Sequence, residues 1–422
     1  MTKTENMNVT GIIAEFNPLH KGHKYILDRA RSDAGADCVI VVMSGDFTQR
    51  GDPAFCDKHL RALMALKAGA DIVIELPVKA ATSSAEFFAS SGVFLLEATG
   101  VVTDMIFGVE SNDRDALSKI SEVLAAEPES YRSNLKDELK KGRSYPTARQ
   151  TALLNILPKL HDLSIIMSSP NNILAIEYLK SLKRLDSKIQ PHFVSRLGAG
   201  YHDNLISPVT SSALAIRSAM IERDDIEPLR NELPESTYEI LANEYKKLLP
   251  ILASDLSSML KYRLVNAIYD KEDLTRYAGV SKNMADRIAR KAISFIDTDD
   301  LIQLVKSKDL TYARISRALL HILLGIKAPE ETLDASNSYL RILGFREEAS
   351  PVIKKIRENA LVPVISRPSD AKDILAGSAL DMFNDTLRAS EIYNKLAEEK
   401  YNAVPVNDLS RKAEKTDGIC IC

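Results

Sequence analysis

Two histidines three positions apart, His20 and His23, stand in the segment Asn-Pro-Leu-His-Lys-Gly-His, residues 17–23, directly after a short apolar run. That order predicts a strand leading into a helix, with both imidazoles in the first helical turn. Unpaired N–H groups and the positive end of the helix dipole attract anions there, and Gly22 lets the backbone approach a phosphate. Either histidine alone could be an ordinary polar loop residue. The pair favours a polyphosphate site that stabilises charge developing on the α-phosphate.

The elements that would position this loop alternate between strand and helix. Apolar, β-branched runs predict strands at residues 9–14, 39–43, 72–76, 105–107 and 192–194, and helical spacing predicts helices at 23–34, 58–68 and 85–98. We therefore expect an α/β fold: a Rossmann-like parallel five-stranded sheet with helices on both faces. Strand patterns fade after about residue 224. The expected division is a nucleotide-binding domain at 1–222, a mostly α-helical C-terminal domain at 223–403 and a polar tail at 404–422.

Composition and the N-terminal sequence argue against a membrane-embedded or a secreted protein. Hydrophobic residues make up 45% and charged residues 27% of the 422 residues, and no apolar stretch is long enough to span a bilayer. The polar N-terminus lacks the apolar core of a secretory signal, so we expect a cytoplasmic protein. The four cysteines have neither zinc-site nor disulfide spacing and are expected to be reduced thiols.

The motif Pro-x-His-x-Gly-His after the first strand of a parallel sheet resembles the HIGH-motif nucleotidyltransferase superfamily. The segment from Ser211 to Arg217 looks like the second phosphate signature of that superfamily, a serine-rich helix start followed by an arginine. Ala213 stands where threonine is commoner, so the arginine is the better candidate for a phosphate contact. A capped helix with a surface arginine is the alternative.

Longer segments restrict the resemblance to one family within this superfamily. Residues 43–54, with the run Ser-Gly-Asp-Phe-Thr-Gln-Arg-Gly, and residues 74–77, 107–111, 169–174, 196–202, 339–345 and 361–365 resemble the bacterial tRNA(Met) cytidine acetate ligase family. The resemblance implies an ATP-dependent ligase that joins acetate to ATP, releases pyrophosphate, and passes the acetyl group to N4 of the wobble cytidine of elongator tRNA(Met). ATP would be a substrate accompanied by Mg²⁺, and membrane and DNA would not be partners.

Two rival functions remain open. A small-molecule adenylyltransferase of the same superfamily would have no use for the long helical domain. A non-catalytic RNA-binding protein with a relic ATP loop would not need both histidines.

Carried over by position, the resemblance assigns catalysis to His20 and His23. It assigns nucleotide binding to Ile13, Ala14, Glu15, Phe16, Asn17, Pro18, Leu19, His20, Lys21, Gly22, His23, Lys24, Tyr25, Ile26, Gly108, Asn171, Arg196 and Leu197. Asn171 suits an adenine or ribose edge and equally suits a helix cap. Arg50 and Arg217 are candidates for contacts to phosphate or acetate; for Arg50 a solvated surface arginine is the alternative. No protein metal ligand is predicted.

A tRNA substrate needs a cationic surface, because phosphate contacts supply much of the affinity. Residues 276–327 contain ten lysines and arginines against five aspartates, and we select Arg287, Arg290, Lys291, Arg314 and Arg317 as tentative tRNA contacts. Tyr277 and Tyr312 could stack on bases. A solvated helix face is the alternative. A second basic group borders the nucleotide domain and comprises Lys136, Lys140, Lys141, Arg143 and Arg149.

Overall fold

A nine-stranded mixed sheet organises the molecule, which is described from a computed structural model at residues 7–160, 162–195, 212–329 and 332–422. The strands are β1 Val9–Ala14, β2 Cys38–Ser44, β3 Ile72–Leu76, β4 Asp104–Val109, β5 Gln190–Ser195, β6 Leu340–Arg346, β7 Val364–Ile365, β8 Glu414–Thr416 and β9 Ile419–Ile421. Their order is β5-β4-β1-β2-β3-β6-β9-β8, and β7 pairs with β6.

From β1 to β4 the helices alternate with the strands, as the sequence predicts. They are α1 Lys21–Ser32, α2 Lys58–Lys67, α3 Val78–Ala81, α4 Ala85–Ala98, α5 Arg114–Ala126, α6 Glu129–Lys140, α7 Tyr145–Ile156, α8 Leu163–Ser168, α9 Pro170–Arg184, α10 Ala213–Arg223, α11 Glu235–Glu244, α12 Ser257–Tyr269, α13 Lys282–Lys291, α14 Thr298–Val305, α15 Tyr312–Leu324, α16 Ser350–Asn359, α17 Ala371–Ile374 and α18 Gly377–Tyr401. None of these described helices is both long and apolar enough to cross a membrane.

Strands β1 to β5 are all parallel, which confirms the predicted α/β fold class. Every residue of β2 is buried because helices cover both faces of the sheet. Ile40 and Val42 belong to the core beneath α4 and α9, whereas Val39 and Val41 belong to the core beneath α1 and α2. α4 packs so closely on β1 that a Cβ on Gly11 would lie 2.7 Å from a Leu96 methyl carbon. Gly11 thus lets α4 approach β1, the strand that leads into the histidine turn.

The C-terminal part of the chain differs from the expected division. The strand β6 pairs antiparallel with β3, and β9 pairs antiparallel with β6, so residues beyond 340 extend the nucleotide-domain sheet. Residues 404–422, expected as a polar tail, supply both β8 and β9. The physical reason is that β3 would otherwise expose an unpaired edge, which β6 covers, and β9 is apolar enough to be buried beside β6. A separate helical core forms between α12, α13, α14 and α15.

A buried group of charges ties the C-terminal segment to the sheet. Lys58 Nζ lies 2.8 Å from Glu75 and 2.7 Å from Asp408, and Arg341 lies within 3.0 Å of the same two carboxylates. Burial alone would raise the pKa of Asp408, but Lys58 and Arg341 together hold that pKa well below its usual range. The four residues therefore act as one ion-paired unit across α2, β3, β6 and the C-terminal segment.

The cysteines are all buried free thiols, in agreement with the sequence-based expectation. Burial raises the pKa of the Cys56 thiol to about 12, so this thiol stays protonated at neutral pH.

Candidate active site

A cavity of about 430 Å³ opens at the carboxyl ends of β1 and β4. In open α/β sheets this is where ligands bind. Its walls come from β1 and the loop that leads into α1, the loop after β2, β4, and the helices α4, α9 and α10. The residues that line it and were predicted from the sequence are Ile13, Ala14, Glu15, Phe16, Asn17, His20, His23, Ile26, Arg50, Gly108, Asn171 and Arg217.

The two histidines share one wall of this cavity. His20 is the N-cap of α1, and its Nδ1 accepts a hydrogen bond from the backbone N–H of Gly22 at 3.0 Å. His23 Nδ1 accepts from the backbone N–H of His20 at 3.3 Å, which completes a capping box. Because each Nδ1 is an acceptor, a neutral ring carries its proton on Nε2. Both imidazoles are thus fixed as Nε2–H donors at a helix N-terminus.

The turn between β1 and α1 is held in place by its neighbours. Phe16 has φ of 48°, a left-handed conformation that costs a side-chain-bearing residue energy and persists only where surrounding contacts enforce it. The Oδ1 of Asn17 accepts from the backbone N–H of Phe55 at 2.7 Å, and the carbonyl of Asn17 accepts from Arg217 at 2.6 Å. The turn therefore cannot rotate its histidines away from the cavity without breaking these contacts.

Arg61 stabilises the backbone of the same region through hydrogen bonds to three carbonyl groups. Its guanidinium is fully buried and donates to the carbonyl oxygens of Glu15 at 2.8 Å, Ser44 at 3.0 Å and Cys56 at 3.0 Å. These carbonyls lie just beyond β1, at the end of β2 and just before α2. One side chain thus fixes the spacing between the loops that form the phosphate side of the cavity.

The cavity has an apolar side and a cationic side. Phe88, Ile106, Leu174 and Tyr178 form the apolar wall, which is suited to a flat heterocyclic base. The histidine pair, Arg50 and Arg217 lie on the cationic wall, which is suited to phosphates. The division matches the two ends of a nucleotide.

The charges around Arg217 are partly desolvated. Burial lowers the pKa of Arg217, and the carboxylates of Glu15 and Asp52 oppose that effect. Burial also raises the pKa of Asp52, against a hydrogen bond from Ser316 and the charge of Arg217. An arginine held in such surroundings interacts more strongly with an incoming anion than a solvated one would.

Asn171 and Asn172 have different roles in the structure. Asn171 lines the cavity and donates to the carboxylate of Glu110. Asn172 is buried, and its Oδ1 accepts from the backbone N–H groups of Glu110 at 2.9 Å and Ser111 at 3.1 Å. Asn172 thus closes the loop after β4, which leaves Asn171 facing the ligand space.

Several residues of the predicted nucleotide segment lie outside the cavity wall, namely Pro18, Leu19, Lys21, Gly22, Lys24 and Tyr25. Leu19 is buried in the core beneath α1. Lys21 donates to the carbonyl of Asn231, and Lys24 pairs with Asp28 one turn further along α1. The backbone N–H of Gly22 donates to Nδ1 of His20, the N-cap of α1. Arg196 and Leu197 lie outside the described residues.

The tentative tRNA contacts fall into two groups. Arg290, Lys291 and Arg314 are exposed. Arg287 instead donates to the carbonyls of Val305 at 2.7 Å and Lys306 at 2.8 Å, and Arg317 donates to the carbonyl of Gln49.

The predicted stacking role of Tyr277 is wrong. Its side chain is 5% exposed and its hydroxyl donates to Glu272, because the residue belongs to the core of the helical domain. Tyr312 is half-buried.

Most of the second basic group is neutralised within the protein. Lys140 pairs with Asp137, Lys141 and Arg143 pair with Glu138, and Arg149 pairs with Glu177. These intramolecular pairs weaken the case for this surface as an RNA contact.

Sequence reasoning missed part of the wall. Gln49 lies beside Arg50 in the run at residues 43–54, and its backbone N–H donates to Glu15 at 2.7 Å. The family resemblance of that run indicated that the whole loop could line the site, and not only Arg50. Phe88 and Tyr178 carry no such signal, because aromatic residues on amphipathic helices ordinarily indicate core packing.

Comparison with known proteins gives consistent matches. The family model described as HIGH Nucleotidyl Transferase matches residues 7–407. A tRNA(Met) cytidine acetate ligase of Thermoanaerobacter sp. (strain X514) is 39% identical over 92% of this chain and 95% of that protein. One of Halothermothrix orenii is 34% identical over 97% of this chain and 98% of that protein.

Solved structures are similar over nearly the whole chain. The apo form of Thermotoga maritima TmcAL has a TM-score of 0.86 at 31% identity and covers 96% of this chain and 98% of its own. The same protein bound to alpha-thio ATP has a TM-score of 0.84 at 32% identity and covers 96% and 97%.

Proposed function

Because the chain belongs to the tRNA(Met) cytidine acetate ligases of the HIGH nucleotidyltransferase family, we infer that it acetylates N4 of the wobble cytidine, position 34, of elongator tRNA(Met) with acetate and ATP. It is a ligase that forms a carbon–nitrogen bond and converts ATP to AMP and pyrophosphate. The contacts made by the residues of the cavity indicate how they would support that chemistry.

In the first step, an acetate oxygen attacks the α-phosphorus of ATP and the bond to pyrophosphate breaks. Negative charge grows on the α-phosphate oxygens and on the departing pyrophosphate. The Nε2–H groups of His20 and His23 donate to these oxygens from positions already fixed by their Nδ1 contacts. Donors held in place before the reaction lower the barrier without a reorganisation cost.

The arginines assist the same step in different ways. Arg217 is held against the carbonyl of Asn17, so its charge is fixed beside the histidine turn. Arg50 is exposed at the cavity wall and is free to meet acetate or phosphate, since it makes no hydrogen bond or ion pair with the described residues. Bidentate pairing of guanidinium with carboxylate or phosphate is the geometry we expect at both.

In the second step, the N4 amine of cytidine attacks the acyl carbon of acetyl-adenylate and AMP leaves. The mixed anhydride is already activated, so no enzyme thioester or ester is required. The helical core of α12 to α15 would present the tRNA, with Arg290, Lys291 and Arg314 as phosphate contacts. Since its substrate is a tRNA, we expect the enzyme to work in the cytoplasm.

Mg²⁺ would enter with the nucleotide. The described residues contain no group of three histidine, cysteine or acidic side chains placed to hold a metal ion. Phosphate oxygens and water would supply most of its ligands, as is usual for Mg²⁺ bound with a nucleotide. Its contribution would be to neutralise charge on the leaving pyrophosphate.

The observation that carries the proposal is the stacked pair of imidazoles at the N-terminus of α1, facing a cavity with one apolar wall and one cationic wall. The test is incubation with ATP, labelled acetate and elongator tRNA(Met), followed by nucleoside analysis. We expect labelled N4-acetylcytidine at position 34, and none in a transcript with uridine at that position. Label at another nucleoside, or no label in tRNA, would exclude this substrate.

A further inference from the structure

The helix α12 carries two of the most exposed tyrosines of the described chain. Tyr262 is 75% exposed and Tyr269 is 76% exposed, and Val265 between them is 37% exposed. Residues three and seven positions apart lie on one face of a helix, so these side chains form a single stripe about 10 Å long. Burying aromatic side chains on folding is favourable, and leaving two of them in solvent side by side indicates a binding partner.

The stripe continues onto the neighbouring turn between α13 and α14. Ile293 is 68% exposed and Ile296 is 78% exposed in that turn. Lys261, which precedes Tyr262, donates to the carbonyl of Ile296 at 2.6 Å and lies over the ring of Phe295. Lys261 therefore joins the first half of α12 to this turn. We name the five exposed side chains the tyrosine stripe: Tyr262, Val265, Tyr269, Ile293 and Ile296.

The charges that border the tyrosine stripe favour an anionic partner. Within residues 258–271 and 289–296, the exposed charged residues are Lys261, Lys271, Arg290, Lys291 and one acid, Asp270. Arg290 and Lys291 form no ion pair with the described residues, in contrast to the neutralised basic group on α6 and α7. Exposed aromatic rings interleaved with unpaired cations are the features that bind unpaired nucleotides, because each base can stack while phosphates meet the cations.

We propose that the tyrosine stripe binds unpaired nucleotides of the tRNA substrate by stacking bases on Tyr262 and Tyr269. This inference rests on the proposed function, since it concerns how that same substrate is held. The first contact is between the base faces and the two phenol rings, and Arg290 and Lys291 hold the adjoining phosphates. The sequence-based choice of Tyr277 is thereby replaced by two tyrosines that solvent reaches.

The test compares steady-state tRNA acetylation and tRNA-free pyrophosphate exchange in the same variants. Tyr262→Ala and Tyr269→Ala should each raise KM for tRNA about five- to a hundredfold, the value of one base–aromatic stack. Tyr262→Phe and Tyr269→Phe keep the ring and should stay within about twofold of wild type. Exchange of labelled pyrophosphate with acetate alone should not change in any of them.

Tyr145→Ala is the matched control, because Tyr145 is also exposed, at 54%, but lies on α7 among paired charges. Its KM for tRNA should equal that of wild type. Unchanged KM in both α12 alanine variants would overturn the proposal while leaving acetate activation intact. So would sedimentation that shows a wild-type dimer and monomeric alanine variants, because the stripe would then join two copies of the chain. Loss of acetate-dependent exchange in the wild type would instead defeat the proposed function.

Discussion

The imidazole of His20 stacks on that of His23 with ring centroids 3.7 Å apart and an interplanar angle of 25°. Each ring is oriented by a backbone N–H at Nδ1, so one side chain both caps α1 and presents a donor to the cavity. Capping and catalysis are therefore separable by mutation.

His20→Asn should abolish most activity and leave the fold intact. Asparagine is a favoured N-cap whose side-chain oxygen can accept the Gly22 N–H, but it has no equivalent of Nε2. We expect acetate-dependent pyrophosphate exchange to fall about 10²- to 10³-fold, with a melting temperature close to that of wild type. His20→Ala should lose the same activity and also about 0.5–2 kcal/mol of stability. An asparagine variant with full exchange activity would refute the donor role of His20.

Arg217→Met should weaken ATP binding. The substitution keeps most of the apolar stem and removes the charge held beside Asn17. A lost hydrogen bond to a charged group costs about 1.5–3 kcal/mol, so KM for ATP should rise about 10- to 100-fold. Arg223→Met, on the exposed end of the same helix, is the control and should behave as wild type. Equal ATP affinities for the two variants would remove Arg217 from the site.

Gly51→Ala should disturb the active-site loop through α15. Ser316 Oγ donates to the carbonyl of Gly51 at 3.1 Å, and a Cβ on Gly51 would lie 2.4 Å from the backbone nitrogen of Arg317. The clash adds to the strain of a side chain at φ of 87°. We expect a loss of stability of more than about 2 kcal/mol and a reduced kcat, measured by denaturant unfolding and steady-state acetylation.

Gly35→Ala tests the effect of backbone strain without a steric clash. Gly35 also has positive φ, at 65°, but its added Cβ would meet no atom within 4 Å. It should lose about 1 kcal/mol and keep its activity. If the two glycine variants lose the same stability and both remain active, the contact between α15 and the loop does not support the site.

Stability should fall between neutral and mildly acidic pH because of His321. Burial lowers the pKa of His321 from 6.5 to about 4, and its two ring nitrogens contact the carbonyl of Ala278 and the hydroxyl of Thr82. The folded pKa is below the unfolded one, so the unfolded state takes up the proton first as pH falls. The stabilisation is complete above about pH 6.5 and is lost progressively down to about pH 4, up to about 3 kcal/mol.

The measurement is the free energy of unfolding in urea at a series of pH values from 7 to 4.5. His321→Gln should show a shallower decline than wild type, because glutamine does not titrate. Parallel curves for the two proteins would mean that His321 is not the group responsible.

Local patterns were enough to predict the sheet centre and the histidine turn. The strand β2 is a continuous apolar run up to its last residue, and the capping of α1 depends on residues within four positions of His20. The strands β6 and β9 were not foreseen, because β6 pairs with β3, which lies hundreds of positions earlier in the chain, and β9, which pairs with β6, has only three residues. Short edge strands have little periodicity of their own, so only the tertiary pairing reveals them.

The candidate site could also be predicted only in part, because some of its contacts depend on tertiary packing. His20, His23, Arg50 and Arg217 were available from motifs and converge on one cavity. The contact between Ser316 and Asp52, at 3.2 Å, depends on how the helical domain docks on the loop after β2, which no local pattern encodes. The sequence alone does not distinguish the environment of Tyr277 from that of Tyr262. Only packing shows that the first is core and the second faces solvent.

The most direct test of acetate activation is exchange of labelled pyrophosphate into ATP by the wild-type protein without tRNA. The turn around His20 and His23 is predicted to hold the polyphosphate while a carboxylate displaces pyrophosphate, so label should enter ATP only when acetate is added. Absence of exchange with any small carboxylate, or exchange that proceeds equally well without one, would contradict the account.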